Sequence, residues 1–302
     1  MTTPSDRPRT TVVIMTYNRR PEVLRTLRHM TALPDRAAII VVDNASTDGT
    51  ADAIAEEHPR TALIRSPRNL GAVARNVAVG HVRTPYVAFC DDDTCWQPGA
   101  LTRAADLLDR HPGLASVTGR VLVEPDLVED PLTPELRHSP VPAPAWMPGP
   151  ALLGILAGAS TLRVDAFTEV GGFSPRMWLG GEEELLAIDL AARGWWMSWA
   201  EDVVIHHRPS RSRDPHRRRQ LGIRNTLWTT WLRRPVPSAL RRSRAVLASA
   251  PKDLRTAAAV AEAMAGLPWV LRHRRLVPAS VEHGLCLLEE SQRHSPARRY
   301  VG

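Results

Sequence analysis

Three short apolar runs, each broken at its end by polar residues, constrain this chain more than anything else in it. They are residues 11–16 (TVVIMT) before Tyr17 and Asn18, residues 38–43 (AIIVVD) before Asn44, and residues 86–90 (YVAFC) before Asp91, Asp92 and Asp93. Strands that are apolar on both faces belong to parallel sheets covered by helices on both sides. Helical stretches fall between them. Pro21 can open a helix in which Val23, Leu24, Leu27 and Met30 share a face, and Ser46 or Asp48 can cap one that runs to about 57. A strand over 61–65, helices over 72–82 and 98–110, and a strand over 114–123 continue the rhythm. The expected fold is α/β, an open sheet whose ligands sit at the carboxyl ends of its strands. The three polar breaks are therefore expected to face one crevice.

The proline-rich stretch 124–150 reads as a long loop or lid. After it, ordered structure resumes near 158–164, with a helix over 182–193 and tail helices near 217–232, 252–272 and 280–292. The chain divides into a first domain over 1–210 and a basic, mainly helical extension over 211–302.

Charge sharpens that division. Residues 1–202 carry 19 basic and 26 acidic side chains; residues 203–302 carry 20 and 6. Lys252 is the only lysine, so nearly all the positive charge is arginine. The acidic first two thirds weigh against a uniformly basic, architectural nucleic-acid binder. Cys90, Cys95 and Cys286 have neither zinc-site spacing nor a secreted disulfide pattern, and no signal peptide precedes Val12. A cytoplasmic protein is expected. Peripheral contact with the inner membrane face, or dimerisation through the basic third, stays open.

Three adjacent carboxylates repel one another, and a divalent cation shared with phosphates relieves that repulsion. Asp91–Asp92–Asp93 at a strand end is thus a candidate Mg²⁺ or Mn²⁺ site, against the alternative of a solvated acidic turn. Asp43, ending a buried strand, is placed to accept from a nucleobase or ribose. Arg75 lies one helical turn past Gly71, within reach of a phosphate or of the aspartates. Glu182, Glu183 and Glu184 start a helix: as dipole partners they are ordinary, but one pointing into a cleft is a candidate general base. Of His206 and His207, one can complete a metal site.

Taken in order, MTYNR at 15–19, VVDNASTDGT at 41–50, NLGAVARN at 69–76, DDD at 91–93, GGF at 171–173, GGEEELL at 180–186 and HH at 206–207 resemble an inverting nucleotide-sugar glycosyltransferase of family 2 with the GT-A fold. The resemblance spans about residues 10–210. It implies a Rossmann-like, mixed nucleotide-binding sheet with flanking helices. It also implies a metal-dependent transfer from a nucleoside-diphosphate sugar, UDP-type, to a hydroxyl of a glycan, lipid-linked or natural-product acceptor. Carried over by residue, Thr16, Tyr17, Asn18, Arg19, Asp43, Asn69, Arg75, Asp91 and Asp92 would line the nucleotide site. Gly158, Trp178 and Gly181 would face the acceptor. Asp91, Asp93, and His207 or His206 would hold Mn²⁺ or Mg²⁺. The family's catalytic base is an aspartate; its position falls on Glu183, with Glu182 and Glu184 one step away on either side. The alternatives are a nucleotidyltransferase acting on a sugar phosphate and a basic nucleic-acid-binding protein. The first lacks its glycine-rich basic loop after the first strand, and the second leaves the acidic clusters unexplained. No nucleic-acid partner is expected.

Overall fold

A computed structural model describes residues 8–210 and 215–294; the stretch before Val12 that was read for a leader lies largely outside them. The first half alternates as the apolar runs require. In order come β1 (Thr10–Thr16), α1 (Arg20–Thr31), β2 (Ala38–Asp43), α2 (Thr50–Glu57), β3 (Ala62–Arg65), α3 (Val73–Val79) and β4 (Tyr86–Asp91). The order β3-β2-β1-β4 is parallel throughout. Alternation along β1 explains its double burial. Val12 and Ile14 pack under α1, while Val13 joins Val42 and Phe89 on the opposite face under α3.

The sheet then becomes mixed. β5 (Thr94–Trp96), α4 (Ala100–Arg110) and β6 (Leu114–Val123) follow, then β7 (Val128–Glu129) and α5 (Thr133–Arg137). A 3₁₀ turn at Ala157–Ala159 leads into β8 (Ser160–Arg163), α6 (Val164–Glu169), α7 (Glu182–Ala192) and β9 (Trp196–His207). β8 runs antiparallel to both β4 and β6, and β9 lies parallel to β6. The proline-rich stretch is more ordered than a lid. β7 pairs with β6, Pro134 sits in the first turn of α5, and Val141 bridges to Ala151. Proline at a helix start loses no hydrogen bond, so the prolines delimit elements there instead of abolishing them.

The carboxyl-terminal third folds as α8 (Pro215–Arg233), α9 (Val236–Ser249), α10 (Leu254–Ala265), α11 (Leu267–Arg272) and α12 (Ala279–Ser291). The arginine-rich α9 carries its prolines at the amino end, where they cost no helical hydrogen bond. These helices share a core with the first half: Ile223, Leu227, Trp228 and Leu232 pack on Met177 and on Leu185 of α7. Each such buried aliphatic side chain contributes roughly 1.5–3 kcal/mol. Trp228 donates to Ala263 O (2.9 Å) and meets Trp269 edge-on, so both tryptophans are packing residues.

The arginines are spent largely on internal pairs. Arg219 binds Asp253, Arg224 binds Glu262 at 3.1 Å, and Arg234 binds Glu282 at 2.9 Å as well as Glu289. Arg233 reaches across to Asp189 on α7. These pairs tie the basic third to its own few carboxylates and to the first half. Among the described residues, no helix is long and apolar enough to cross a membrane.

Candidate active site

The carboxyl ends of β1, β2 and β4 open into one cavity of about 500 Å³, as their polar breaks require. Thr16, Tyr17, Asn18, Arg19, Asn69, Arg75, Asp91 and Asp92 all line it. The loops are stitched together by asparagines. Asn18 Oδ1 accepts from Thr47 N (2.7 Å), Asn44 Oδ1 accepts from Leu70 N (2.8 Å), and Asn69 Oδ1 accepts from Gly71 N (2.9 Å). Asp43 is buried beneath them. Its Oδ2 accepts from Ser46 N (3.1 Å), while its buried Oδ1 has no hydrogen-bond partner among the described residues.

The three aspartates diverge. Asp91 Oδ1 accepts from Arg75 Nη2 (2.6 Å), and Arg75 is itself buried under the Phe173 ring. Asp92 turns beneath β1, accepting from Thr16 Oγ1 (2.9 Å) and Arg19 Nη1 (2.8 Å). Burial pushes its carboxyl up to about 7 against the pull of Arg19, and the neighbouring Asp93 and Asp91 add to the rise. Asp92 therefore anchors β1 and Arg19 while still lining the cavity.

Asp93 Oδ2 takes Arg19 Nη1 (3.1 Å), and its Oδ1 lies 3.7 Å from His207 Nε2. His206 faces the other side of β9, 3.5 Å from Glu124, so the structure brings His207 and not His206 to the aspartates. Among the described residues no three His, Cys, Asp or Glu side chains form a metal cage. A carboxylate oxygen and an imidazole nitrogen side by side are nonetheless a fitting donor pair for a Mg²⁺- or Mn²⁺-sized ion that keeps positions for phosphate oxygens.

The link from aspartates to glutamates is the turn Ala157–Ala159. A Cβ on Gly158 would stand 2.9 Å from Asp91 Oδ2, so this position admits only glycine without displacing the carboxylate. One residue earlier, Ala157 N donates to Glu183 Oε1 (2.5 Å). Adjacent backbone positions thus pack against Asp91 on one side and hydrogen-bond Glu183 on the other. Gly158, expected at the acceptor, brings its backbone close against Asp91.

Helix α7 starts at Gly181, whose φ of 91° favours glycine, and its three glutamates lie in the first turn. They take different environments. Glu182 is buried, with Oε2 unpartnered among the described residues, and Glu184 is partly exposed. Glu183 lines a second cavity together with Glu184 and Gly181. Burial, then the neighbouring charge of Glu182, raises Glu183 well above the usual carboxylate range, while Ala157 N and Arg75 oppose the rise. Glu182 is raised too, by burial, with Arg75 opposing.

Asn225 on α8 sets where α7 begins. Its buried Nδ2 donates to Met177 O (2.8 Å), Leu179 O (3.2 Å) and Gly180 O. Asn225→Ala strands buried carbonyls, so it is expected to cost about 2 kcal/mol in urea unfolding and to lower turnover as well. Unchanged unfolding would show that the turn holds without it.

Trp178, expected at the acceptor, stands at the cavity formed by the ends of β1, β2 and β4. It lines the first cavity, and its carbonyl accepts from Ala72 N (2.6 Å). Arg217 and Arg218 of α8 line the same cavity and had not been singled out. Their signal was an arginine run soon after the histidine pair, visible only as bulk charge.

The sequence model described as glycosyl transferase family 2 matches residues 11–170. An N-acetylglucosaminyl-diphospho-decaprenol L-rhamnosyltransferase of Mycobacterium tuberculosis is 29% identical over 243 residues, covering 68% of this chain and 78% of that protein. Two solved structures share the fold. One is a mannosyltransferase of Pyrobaculum calidifontis in complex with GDP-Man and Mn²⁺ (23% identity, TM-score 0.59, 96% of this chain and 88% of that one). The other is GalNAc-T7 with UDP, GalNAc and Mn²⁺ (13% identity, TM-score 0.65, 95% and 58%). With the mixed sheet, the polar strand ends and the acidic helix start in place, the chain belongs to glycosyl transferase family 2 and is a glycosyltransferase of GT-A fold.

Proposed function

We propose that this glycosyltransferase moves a sugar from a nucleoside-diphosphate sugar, UDP-type, to an acceptor hydroxyl with inversion, dependent on Mn²⁺ or Mg²⁺. The observation that carries the reading is the pairing of Asp91 and Glu183 across Ala157–Gly158, which sets a phosphate-side carboxylate beside a carboxylate open to a second cavity. Asp43 Oδ1 receives an N–H of the base or a ribose hydroxyl. Glu183 takes the acceptor's proton. The acceptor oxygen attacks the anomeric carbon from the face opposite the diphosphate, and the old carbon–oxygen bond breaks with its electron pair going to the phosphate oxygen. Arg217 and Arg218, which line the first cavity, would stabilise the charge that develops on the diphosphate. Asp93 and His207 would hold the divalent ion, which supplies Lewis-acid stabilisation of the same charge when bound.

The uridine preference draws support from the UDP bound in GalNAc-T7, and the GDP-Man bound in the mannosyltransferase supplies its competitor. A panel of UDP-, GDP- and dTDP-sugars with Mn²⁺ tests both. One UDP-sugar is expected to bind best. Asp43→Ala should then weaken that binding about 10- to 100-fold, as loss of a charge-assisted hydrogen bond does. No nucleotide sugar binding at all would end the reading.

A further inference from the structure

Packing of the carboxyl-terminal helices leaves one apolar face in water. Helix α9 turns Ala239 and Val246 inward. Val236, Leu240 and Leu247, at spacings of four and seven residues, share its outward face with Ser243. Leu271 at the end of α11 and Leu276 just beyond it also face solvent, and the five aliphatic side chains are 37–59% exposed. The two groups adjoin. Trp231 Nε1 donates to Ser243 Oγ (3.0 Å), and the Arg274 guanidinium lies 5.9 Å from the centre of the Trp231 ring. Arg275 N and Val277 N donate to Leu232 O (2.8 Å) and Arg233 O (2.9 Å), at the end of α8 from which α9 departs.

This face is also positively charged without compensation. Residues 236–252 and 263–281 contain no aspartate or glutamate. Whereas Arg233 and Arg234 are paired with carboxylates, the exposed Arg244, Arg272 and Arg275 form no ion pair among the described residues. Arg244 stands one turn past Leu240, Arg272 follows Leu271, and Arg275 precedes Leu276. Exposed aliphatic side chains interleaved with uncompensated arginines suit the headgroup layer of a membrane, which takes up both. A nucleic acid would meet the arginines and leave the leucines in water. A protein surface of mixed charge would set its own cations against a face that has no carboxylate. We propose that α9 and the segment 271–276 dock this chain on an anionic lipid surface, with the aliphatic side chains entering the interface and the arginines meeting lipid phosphates. From its other side α9 contributes Arg242 to the cavity that Glu183 lines, so the docked chain holds that cavity close to the lipid.

The test is vesicle sedimentation with the full chain. Vesicles of phosphatidylcholine and phosphatidylglycerol in equal parts are expected to bind about tenfold or more tighter than phosphatidylcholine alone, and added salt should narrow the difference. Arg272→Gln with Arg275→Gln should weaken binding to the anionic vesicles by about tenfold or more. Leu240→Asn with Leu276→Asn keeps the charge and should weaken it by about tenfold. All four side chains are exposed, so the variants should melt with the wild type. Arg244→Gln with Leu247→Asn repeats the test on α9 alone should either pair disturb the fold.

Equal binding to the two kinds of vesicle, binding to neither, or anionic-vesicle binding that the folded leucine variants keep in full would each overturn the proposal. A dimer that the leucine variants dissociate, with no vesicle binding by the wild type, would make the face a contact between copies of this chain instead. Binding to DNA with no vesicle binding would return the arginines to a nucleic acid.

Discussion

Glu183→Gln is expected to lower kcat by about 10²–10⁴-fold, the usual contribution of a general base, while nucleotide-sugar affinity stays within about twofold. The substitution keeps the side-chain shape and an oxygen for Ala157 N, and removes only the ability to take a proton. The pH profile separates this role from a structural one. Burial and the charge of Glu182 hold the Glu183 proton above the ordinary carboxylate range. A base must be ionised, so kcat should rise with pH as that proton leaves, giving an acid limb well above where an exposed glutamate titrates. The residual rate of the variant should lack the limb. Stability should move the other way. In the window between the ordinary and the raised value, the folded protein holds a proton that the unfolded chain has released, so wild-type stability falls as pH rises through it. Glu183→Gln removes that penalty and should melt no lower than the wild type at neutral pH. A large loss of both kcat and melting temperature would mark Glu183 as structural. Loss confined to Glu184→Gln would move the base by one residue.

The parts of this site that were legible in advance are those fixed by strand periodicity. Thr16, Asp43 and Asp91 end continuous apolar runs, and a parallel strand buried on both faces leaves its first polar residue at the sheet's carboxyl edge. Phase was the harder quantity. Adjacent histidines on a strand face opposite ways, but which of them meets Asp93 depends on the register shift between Gly119 and Arg120, where β6 pairs with β9. Which glutamate opens to the cavity depends on where α7 starts, and Asn225 sets that from 45 residues away in sequence. Trp178 takes a left-handed conformation, φ 61°, in a segment without periodicity, so nothing local announced that it would line the cavity with Asp91 and Arg75. The family resemblance supplied roles, whereas orientation came from long-range contacts.

Treatment with EDTA, and separately Asp93→Asn, should each cut kcat by about 10²-fold or more, with Mn²⁺ restoring only the wild type. The reasoning rests on how the cations are already distributed. Arg75 is committed to Asp91, and Arg19 is shared between Asp92 and one oxygen of Asp93. The other oxygen, Oδ1, is the one that faces His207. A divalent ion held there would add charge that the arginines do not supply, where the leaving diphosphate gains it. His207→Ala should therefore raise the Mn²⁺ concentration needed for half-maximal rate, while leaving much of the rate at saturating metal. Asp93→Asn should not be rescued, because an amide replaces the carboxylate charge as well as a ligand. Should EDTA change nothing while Arg217→Ala and Arg218→Ala abolish turnover, the leaving group would be held by α8 alone. The acidic triad would then be a folding feature neutralised by Arg19 and Arg75.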